Sequence, residues 1–238
     1  MPDAPQARTH SDARPEDDSG RASAARSLRL LEPVLRAQGL GLGLAYAHDP
    51  AALPAGPGER ELAAAMGPVR RRDFLAGRLA ARRALAVPDS PATEILRDGR
   101  RPRFPVGHVG SISHSGGLAV ALAAPATRCH AVGCDLELRE LPLNTAHIVL
   151  GPDERTWPAG PQAARHLLAA FSAKEAAFKA FATLLPASRA PATLLAIGLR
   201  PVSGGFRARP RGGTGPVLDV QVRPAGPGVF SWAVAHDG

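Results

Sequence analysis

The chain has 238 residues, 45% hydrophobic and 21% charged, a globular balance with enough length to bury a core in one large domain or two small ones. Its formal net charge of +8 points to an anionic partner: nucleic acid, a phosphate cofactor, a membrane surface or an acidic protein. No run of about 18 apolar residues predicts a transmembrane helix, the first 27 residues lack the apolar stretch of a secretory signal, and two cysteines are too few for a disulfide scaffold, which favours a reducing cytoplasm.

Residues 1–27, a mixture of Pro, Ser, Asp and Arg, are expected to form a flexible tail. Two α+β halves are expected after it, residues 28–128 and 129–238. In the first, "SLRLLEPVLRAQGLGLGLAYAH" predicts a short helix, a glycine turn and a strand ending at His48, and a Pro/Gly loop then enters a helix near Glu59. "PVRRRDFLAGRLAARRALAV" predicts another helix, with Phe74, Leu75, Leu79 and Leu85 near helical spacing and Pro88 beyond its end. Asp98-Gly99 marks a turn in a proline-punctuated basic loop. "VGSISHSGGLAVALAAP" reads as a strand to Ser113, a Gly-Gly turn and the strand Leu118–Ala123. In the second half a strand is expected around Val132–Leu136, the longest helix between Pro161 and Pro186, and four short strands after it. Helix mixed with strand in both halves gives the α+β class.

The strand 132–136 runs into Asp135 and Glu137, whose spacing of two puts both carboxylates on one face. They either decorate a solvent face or hold a cation, because neighbouring carboxylates repel unless a positive charge lies between them or one is protonated. In "FSAKEAAFKA", Glu175 and Lys179 are four apart and share a helix face. That is either an exposed stabilising pair or part of a site; the flanking alanines, Phe171 and Phe178 indicate burial, and a buried acid needs a partner or a metal. Of 29 basic residues 27 are Arg, and the two Lys, Lys174 and Lys179, both lie in this segment. Lysine is a compact charge with a movable pKa, so the choice invites a chemical reason.

Ser113 and His114 offer a hydroxyl and an imidazole to a phosphate, but not a catalytic dyad, since neighbours on a strand face opposite ways. Cys129 and Cys134 read as packed side chains rather than zinc ligands. Arg71, Arg78 and Arg82 fall on related helical faces, which suits a solvated face or a polyanion site. Aromatics are 4% and hardly interleave with the arginines, so the usual marks of a nucleic-acid module are missing, as are Walker and Rossmann glycine motifs.

Taken in order, "RRRDFLAGRLAARRAL", "GRRPRFPVGHVGSISHS", "VGCDLE" and "FSAKEAAFKA" resemble the motifs of the Sfp/EntD-type 4′-phosphopantetheinyl transferases, nearest the EntD-like, siderophore-associated branch, over about residues 55–182. The resemblance implies two similar α+β halves related by a pseudo-twofold axis, with the site between them. It implies transfer of the phosphopantetheine arm of coenzyme A to a serine of an apo carrier protein, releasing 3′,5′-ADP, with Mg²⁺ or Mn²⁺. Asp135, Glu137 and Glu175 match the metal acids, and Glu175 or Lys179 the candidate base. Lys174 and Lys179 match lysines near the coenzyme A phosphates, and Ser113 and His114 a pair at its 3′-phosphate. Arg71 or Arg72, Arg78, and the Arg100-Arg101-Pro102 loop match basic elements around the nucleotide. Cys134 stands where the family usually has a branched aliphatic, and Phe171 where many members have Trp. The partners implied are coenzyme A and peptidyl, aryl or acyl carrier proteins serving nonribosomal peptide or polyketide synthesis. A monomer is expected, without nucleic acid or membrane insertion. A metal-dependent phosphoester hydrolase and a basic nucleic-acid-binding protein are the competing readings.

Overall fold

The computed structural model describes residues 15–86, 94–155, 160–212 and 215–236. The chain opens with helices α1 (Pro15–Leu30) and α2 (Glu32–Ala37), then strand β1 (Gly41–Tyr46). Helices α3 (Pro57–Ala64) and α4 (Pro68–Ala86) follow, then a small hairpin of β2 (Leu96–Asp98) and β3 (Arg101–Arg103). Strands β4 (His108–Ser115) and β5 (Leu118–Pro125) complete an antiparallel sheet of order β1-β5-β4. The turn joining them holds only Gly116 and Gly117, with φ of 57° and 80°. A two-residue hairpin needs positive φ at both positions, which explains the glycine pair.

The second half repeats this plan with additions. It runs β6 (Ala131–Glu137), the short α5 (Ala146–Val149), the 22-residue α6 (Ala163–Leu184), then β7 (Ile197–Val202), β8 (Gly205–Pro210), β9 (Leu218–Ala225) and β10 (Gly228–Ala235). Its sheet order is β6-β10-β9-β8-β7, so β6, β10 and β9 repeat β1, β5 and β4. The repeat extends to packing detail. A Cβ on Gly43 of β1 would overlap the carbonyl oxygen of Ala80 on α4, and a Cβ on Gly133 of β6 would overlap that of Ala176 on α6. Each half therefore presses a helix of small residues directly onto a strand glycine. The expected α+β fold of two similar halves is what the chain adopts.

Alternation along the strands sends one face of each sheet to its own helix and the other to a shared centre. Ala119, Ala121 and Ala123 of β5 meet α4, and Ala233 and Ala235 of β10 meet α6. Leu118, Val120 and Leu122 pack with Val132, Cys134, Leu136, Phe230 and Trp232 in the central core. Both cysteines are free and buried there, and burial pushes each thiol up to about 11, so they are packing groups.

One expectation is corrected. The flexible tail, taken as far as residue 27, gives way at Pro15 to α1, whose Ala24, Ala25 and Leu28 are buried in the central core; residues 1–14 lie outside the described residues. The apolar face of α1 is mostly alanine set among charged residues, so its composition resembles a solvated tail. Pro88, expected beyond α4, also lies outside the described residues.

Candidate active site between the two halves

β6 is the edge strand of its sheet, so its outward N–H groups have no strand partner. Serines of β4 take them instead. The N–H of Cys134 donates to Ser111 Oγ at 3.0 Å, that of Leu136 to Ser113 Oγ at 3.2 Å, and that of Leu138 to Ser115 Oγ at 3.0 Å. The spacing of two in Ser111, Ser113 and Ser115 points all three hydroxyls at β6, making a polar seam between the halves. Two of them also hold acids: Ser113 Oγ donates to Asp135 Oδ1 at 3.0 Å, and Ser115 Oγ to Glu137 Oε2 at 3.5 Å.

The acids lie where β6 passes α6. Asp135 is buried, and its Oδ1 also accepts from Lys179 Nζ at 2.8 Å, while Lys179 donates to the Cys134 carbonyl at 3.0 Å. The other oxygen, Oδ2, is buried with no hydrogen-bond partner. Burial raises the Glu137 carboxyl to about 7, helped by Asp135 and Glu175 and opposed by Lys179 and Ser115. Burial also raises Glu175, with Asp135 adding to the rise and Lys179 opposing it. Burial alone would lower Lys179, but the Asp135 carboxylate outweighs it and holds the ammonium above its ordinary range. Three carboxyl groups thus face one ammonium, leaving two negative charges uncompensated when all are ionised. Among the described residues, no three acid, histidine or cysteine side chains close into a ready-made metal cage. Lys179 occupies one flank of Asp135 as an internal counter-cation.

Two chambers share Asp73 and His114 as a wall, and Glu137 of the acid cluster lines the first of them. One, of about 570 Å³, is lined by Glu137, Arg139, Arg72, His48 and Arg21. The other, of about 540 Å³, gathers Arg70, Arg78, Arg97 and Arg100 around Phe74, with Pro102 at its side. Arg78 stacks over the Phe74 ring at 4.3 Å and donates to the Leu96 carbonyl at 3.3 Å, while its Nε is buried without a partner. Burial brings its guanidinium down to about 10, still protonated at neutral pH. His114 Nε2 lies 3.2 Å from Arg70 Nη1. The outer edge of His114 is open to solvent, but the groove around it desolvates the ring and Arg70 and Lys179 repel a further charge, so its pKa is held below the ordinary value. A neutral imidazole accepts from Arg70 at this distance.

The expected site residues divide accordingly. Asp135, Glu137, Glu175 and Lys179 come together. Arg72, Arg78, Arg100, Pro102 and His114 line the chambers. Arg71 is exposed and lines neither. Arg101 turns away to the Ala182 carbonyl at the end of α6 and to Asp98. Ser113 is corrected from phosphate contact to support of Asp135, because its hydroxyl is spent between Asp135 and the Leu136 N–H.

Lys174 is corrected more sharply. It is fully buried, donating to the Val149 carbonyl at 2.7 Å and to Glu154 Oε2 at 2.6 Å, and burial lowers its pKa. Glu154 also accepts from the N–H groups of Gly151 and Leu199, so Lys174 neutralises a structural acid and has no surface to offer a phosphate. The first half has a counterpart in buried Glu59, which accepts from Arg82 and from the N–H groups of Ala55 and Ile95. Arg82 is thereby structural too.

Sequence reasoning missed Arg21, Arg70, Arg97 and Arg139. Arg70 was open to discovery, being two helical turns before Arg78 and on its face. Arg21 was hidden because its segment reads as a tail.

The fold sets a cluster of carboxyl groups beside chambers lined by arginines, an arrangement with room for both a cation and an anion. Residues 58–124 match the 4′-phosphopantetheinyl transferase N-terminal domain, and residues 131–204 match the 4′-phosphopantetheinyl transferase superfamily. The chain is 38% identical over 141 residues to the 4′-phosphopantetheinyl transferase Npt of Nocardia iowensis, covering 58% of this chain and 62% of Npt. It is 39% identical over 123 residues to Svp of Streptomyces mobaraensis, covering 48% of this chain and 49% of Svp. Against PptT of Mycobacterium tuberculosis it is 36% identical over 148 residues, 58% of this chain and 64% of PptT. The chain thus spans between about half and just under two thirds of these curated relatives. It belongs to the 4′-phosphopantetheinyl transferase superfamily. Among the described residues no helix is long and apolar enough to cross a membrane.

Proposed function

We propose that the chain transfers the 4′-phosphopantetheine arm of coenzyme A to a serine hydroxyl of an apo carrier protein. The observation that carries the reading is the cleft itself: a carboxylate cluster with uncompensated charge, beside a chamber where four guanidinium groups converge. The named activity of the three relatives supports it.

The acids fit a divalent oxygen-ligated ion such as Mg²⁺, or Mn²⁺ in its place. The fit rests on the orphaned Oδ2 of Asp135 and on the chemistry of the donor set, three oxygen-bearing acids that share a single ammonium. Asp135, Glu137 and Glu175 would hold the ion, which when bound would offset charge on the diphosphate. The chain's own residues account for the rest. Arg70, Arg78, Arg97 and Arg100 grip the phosphates of the nucleotide end, Arg as a planar fork and Phe74 as a hydrophobic floor. His114 fixes Arg70 by accepting its N–H.

In the transfer, the carrier serine oxygen forms a bond to the phosphorus that bears the pantetheine arm. The bond from that phosphorus to the bridging oxygen breaks, and the electron pair leaves with 3′,5′-ADP. The serine proton passes to a carboxylate. Glu175, partly buried on the helix face that also carries Lys179, is the carboxylate taken as that base. Lys179, held protonated by Asp135, is less suited and instead keeps Asp135 in place.

We take the carriers to be peptidyl, aryl or acyl carrier domains of nonribosomal peptide, siderophore or polyketide assembly, met in the cytoplasm by a monomer. The test is incubation with coenzyme A, Mg²⁺ and a panel of apo carrier proteins, read by intact mass. Addition of the phosphopantetheine arm is expected on at least one carrier; consumption of coenzyme A with every carrier unmodified would refute transfer.

A further inference from the structure

A cavity of about 850 Å³ opens at β7, the edge strand farthest from β6, and shares no lining residue with the two chambers of the cleft. Its floor is the outer face of the β7–β8 hairpin. Ile197, Leu199, Phe206 and Ala208 point into the core, so the residues between them point out. Arg200 stands directly opposite Arg207 in the register, and Arg209 opposite Gly198. Like charges directly opposed on a sheet repel. Arg207 has Asp219 at 3.2 Å, but among the described residues Arg200 and Arg209 have no ion pair or hydrogen-bonded partner.

Arg211 is built into the same wall. Its Nη1 meets Asp153 at 2.6 Å and its Nη2 meets Glu154 at 2.8 Å. The guanidinium lies in a slot left open by Gly151, where a Cβ would overlap it, and its Nε is buried without a partner. Arg207 is offset by Asp219 and Arg211 by Asp153, which leaves the two positive charges of Arg200 and Arg209 uncompensated in the lining. Pro201 and Val217 add an apolar rim.

We propose that this cavity is a second anion site, separate from the cleft, that takes a small phosphorylated organic molecule. Guanidinium forks match phosphate oxygens in pairs, two uncompensated guanidinium groups beside two paired ones match a diphosphate rather than a lone carboxylate, and the volume suits a molecule of nucleotide size. The proposal stands independently of the transfer reaction.

Backbone amide NMR of the full chain, titrated with inorganic pyrophosphate and separately with citrate at about 0.15 M salt, tests it. Pyrophosphate is expected to shift the Gly198 and Gly212 amides saturably. The double variant Arg200→Gln/Arg209→Gln, altered only at exposed and unpaired side chains, should weaken that response at least about tenfold while the responses of Gly116 and Gly117 in the cleft persist. Absence of a saturable shift at Gly198 and Gly212, full affinity in the double variant, or tighter binding of citrate than of pyrophosphate would overturn it.

Discussion

Replacing Ser113 by alanine separates support of the acid site from general stability. The substitution removes two buried interactions: the hydroxyl donated to Asp135 at 3.0 Å and the Leu136 N–H it accepts at 3.2 Å. An orphaned buried N–H costs roughly 1–3 kcal/mol, and a hydrogen bond to a charged group contributes roughly 1.5–3 kcal/mol, so the loss should be about 3–5 kcal/mol. Ser111→Ala is the control, because Ser111 accepts the Cys134 N–H but, among the described residues, bonds to no site acid, and its loss should be about 1–3 kcal/mol. Urea denaturation gives both stabilities, and the rise in melting temperature on adding Mg²⁺ gives the effect on the acids. Ser113→Ala should lose most of the Mg²⁺-induced rise, and Ser111→Ala should keep it. A Ser113→Ala protein within about 1 kcal/mol of wild type, with an undiminished Mg²⁺ response, would refute the assignment of the seam as the support of Asp135.

Three further outcomes follow from the same geometry. Lys174→Met leaves Glu154 without its ammonium partner and should cost about 3–5 kcal/mol in denaturant, while the KM for coenzyme A of whatever folds stays unchanged; a selective rise in KM would return Lys174 to the nucleotide. Burial holds the Glu137 carboxyl at about 7 in the folded chain, above its ordinary 4.5, so the folded state binds the extra proton between those values, and its contribution to stability is lost as pH rises through that window. Without divalent ions the wild type should therefore lose stability relative to Glu137→Gln from about pH 4.5 to 7, and parallel melting curves of the two across that range would contradict it. Gly133→Ala forces a methyl against the Ala176 carbonyl and should destabilise by more than about 3 kcal/mol, with Gly43→Ala doing the same in the first half through Ala80; a neutral result for either would break the proposed correspondence of the halves.

The parts legible in the sequence were those set by local periodicity. Alternation put Asp135 and Glu137 on one face, helical spacing paired Glu175 with Lys179, and the Gly116-Gly117 pair announced its hairpin. What stayed hidden depended on partners far along the chain. Lys174 and Glu175 are adjacent, yet about 100° of helical rotation separates them, and only the position of Glu154 sends Lys174 into the core while Glu175 faces β6. The three alternating serines of β4 could be seen, but not that β6 is an edge strand needing their hydroxyls. Helix α1 was invisible because alanines form most of its buried face, and with it went Arg21. On α4 the register of the arginines is set by the stacking of Arg78 over Phe74, which carries Arg70 into the same chamber.

In the proposed transfer, Asp135, Glu137 and Glu175 act together with a divalent ion. Initial rates of modification of an apo carrier protein, measured against Mg²⁺ concentration for wild type, Asp135→Asn, Glu137→Gln and Glu175→Gln, test it most directly. The wild-type rate should be abolished by chelation and restored by Mg²⁺, and should fall at least about 10²-fold in each variant whose circular dichroism matches wild type. Undiminished transfer under chelation, or full rates in all three variants, would contradict it.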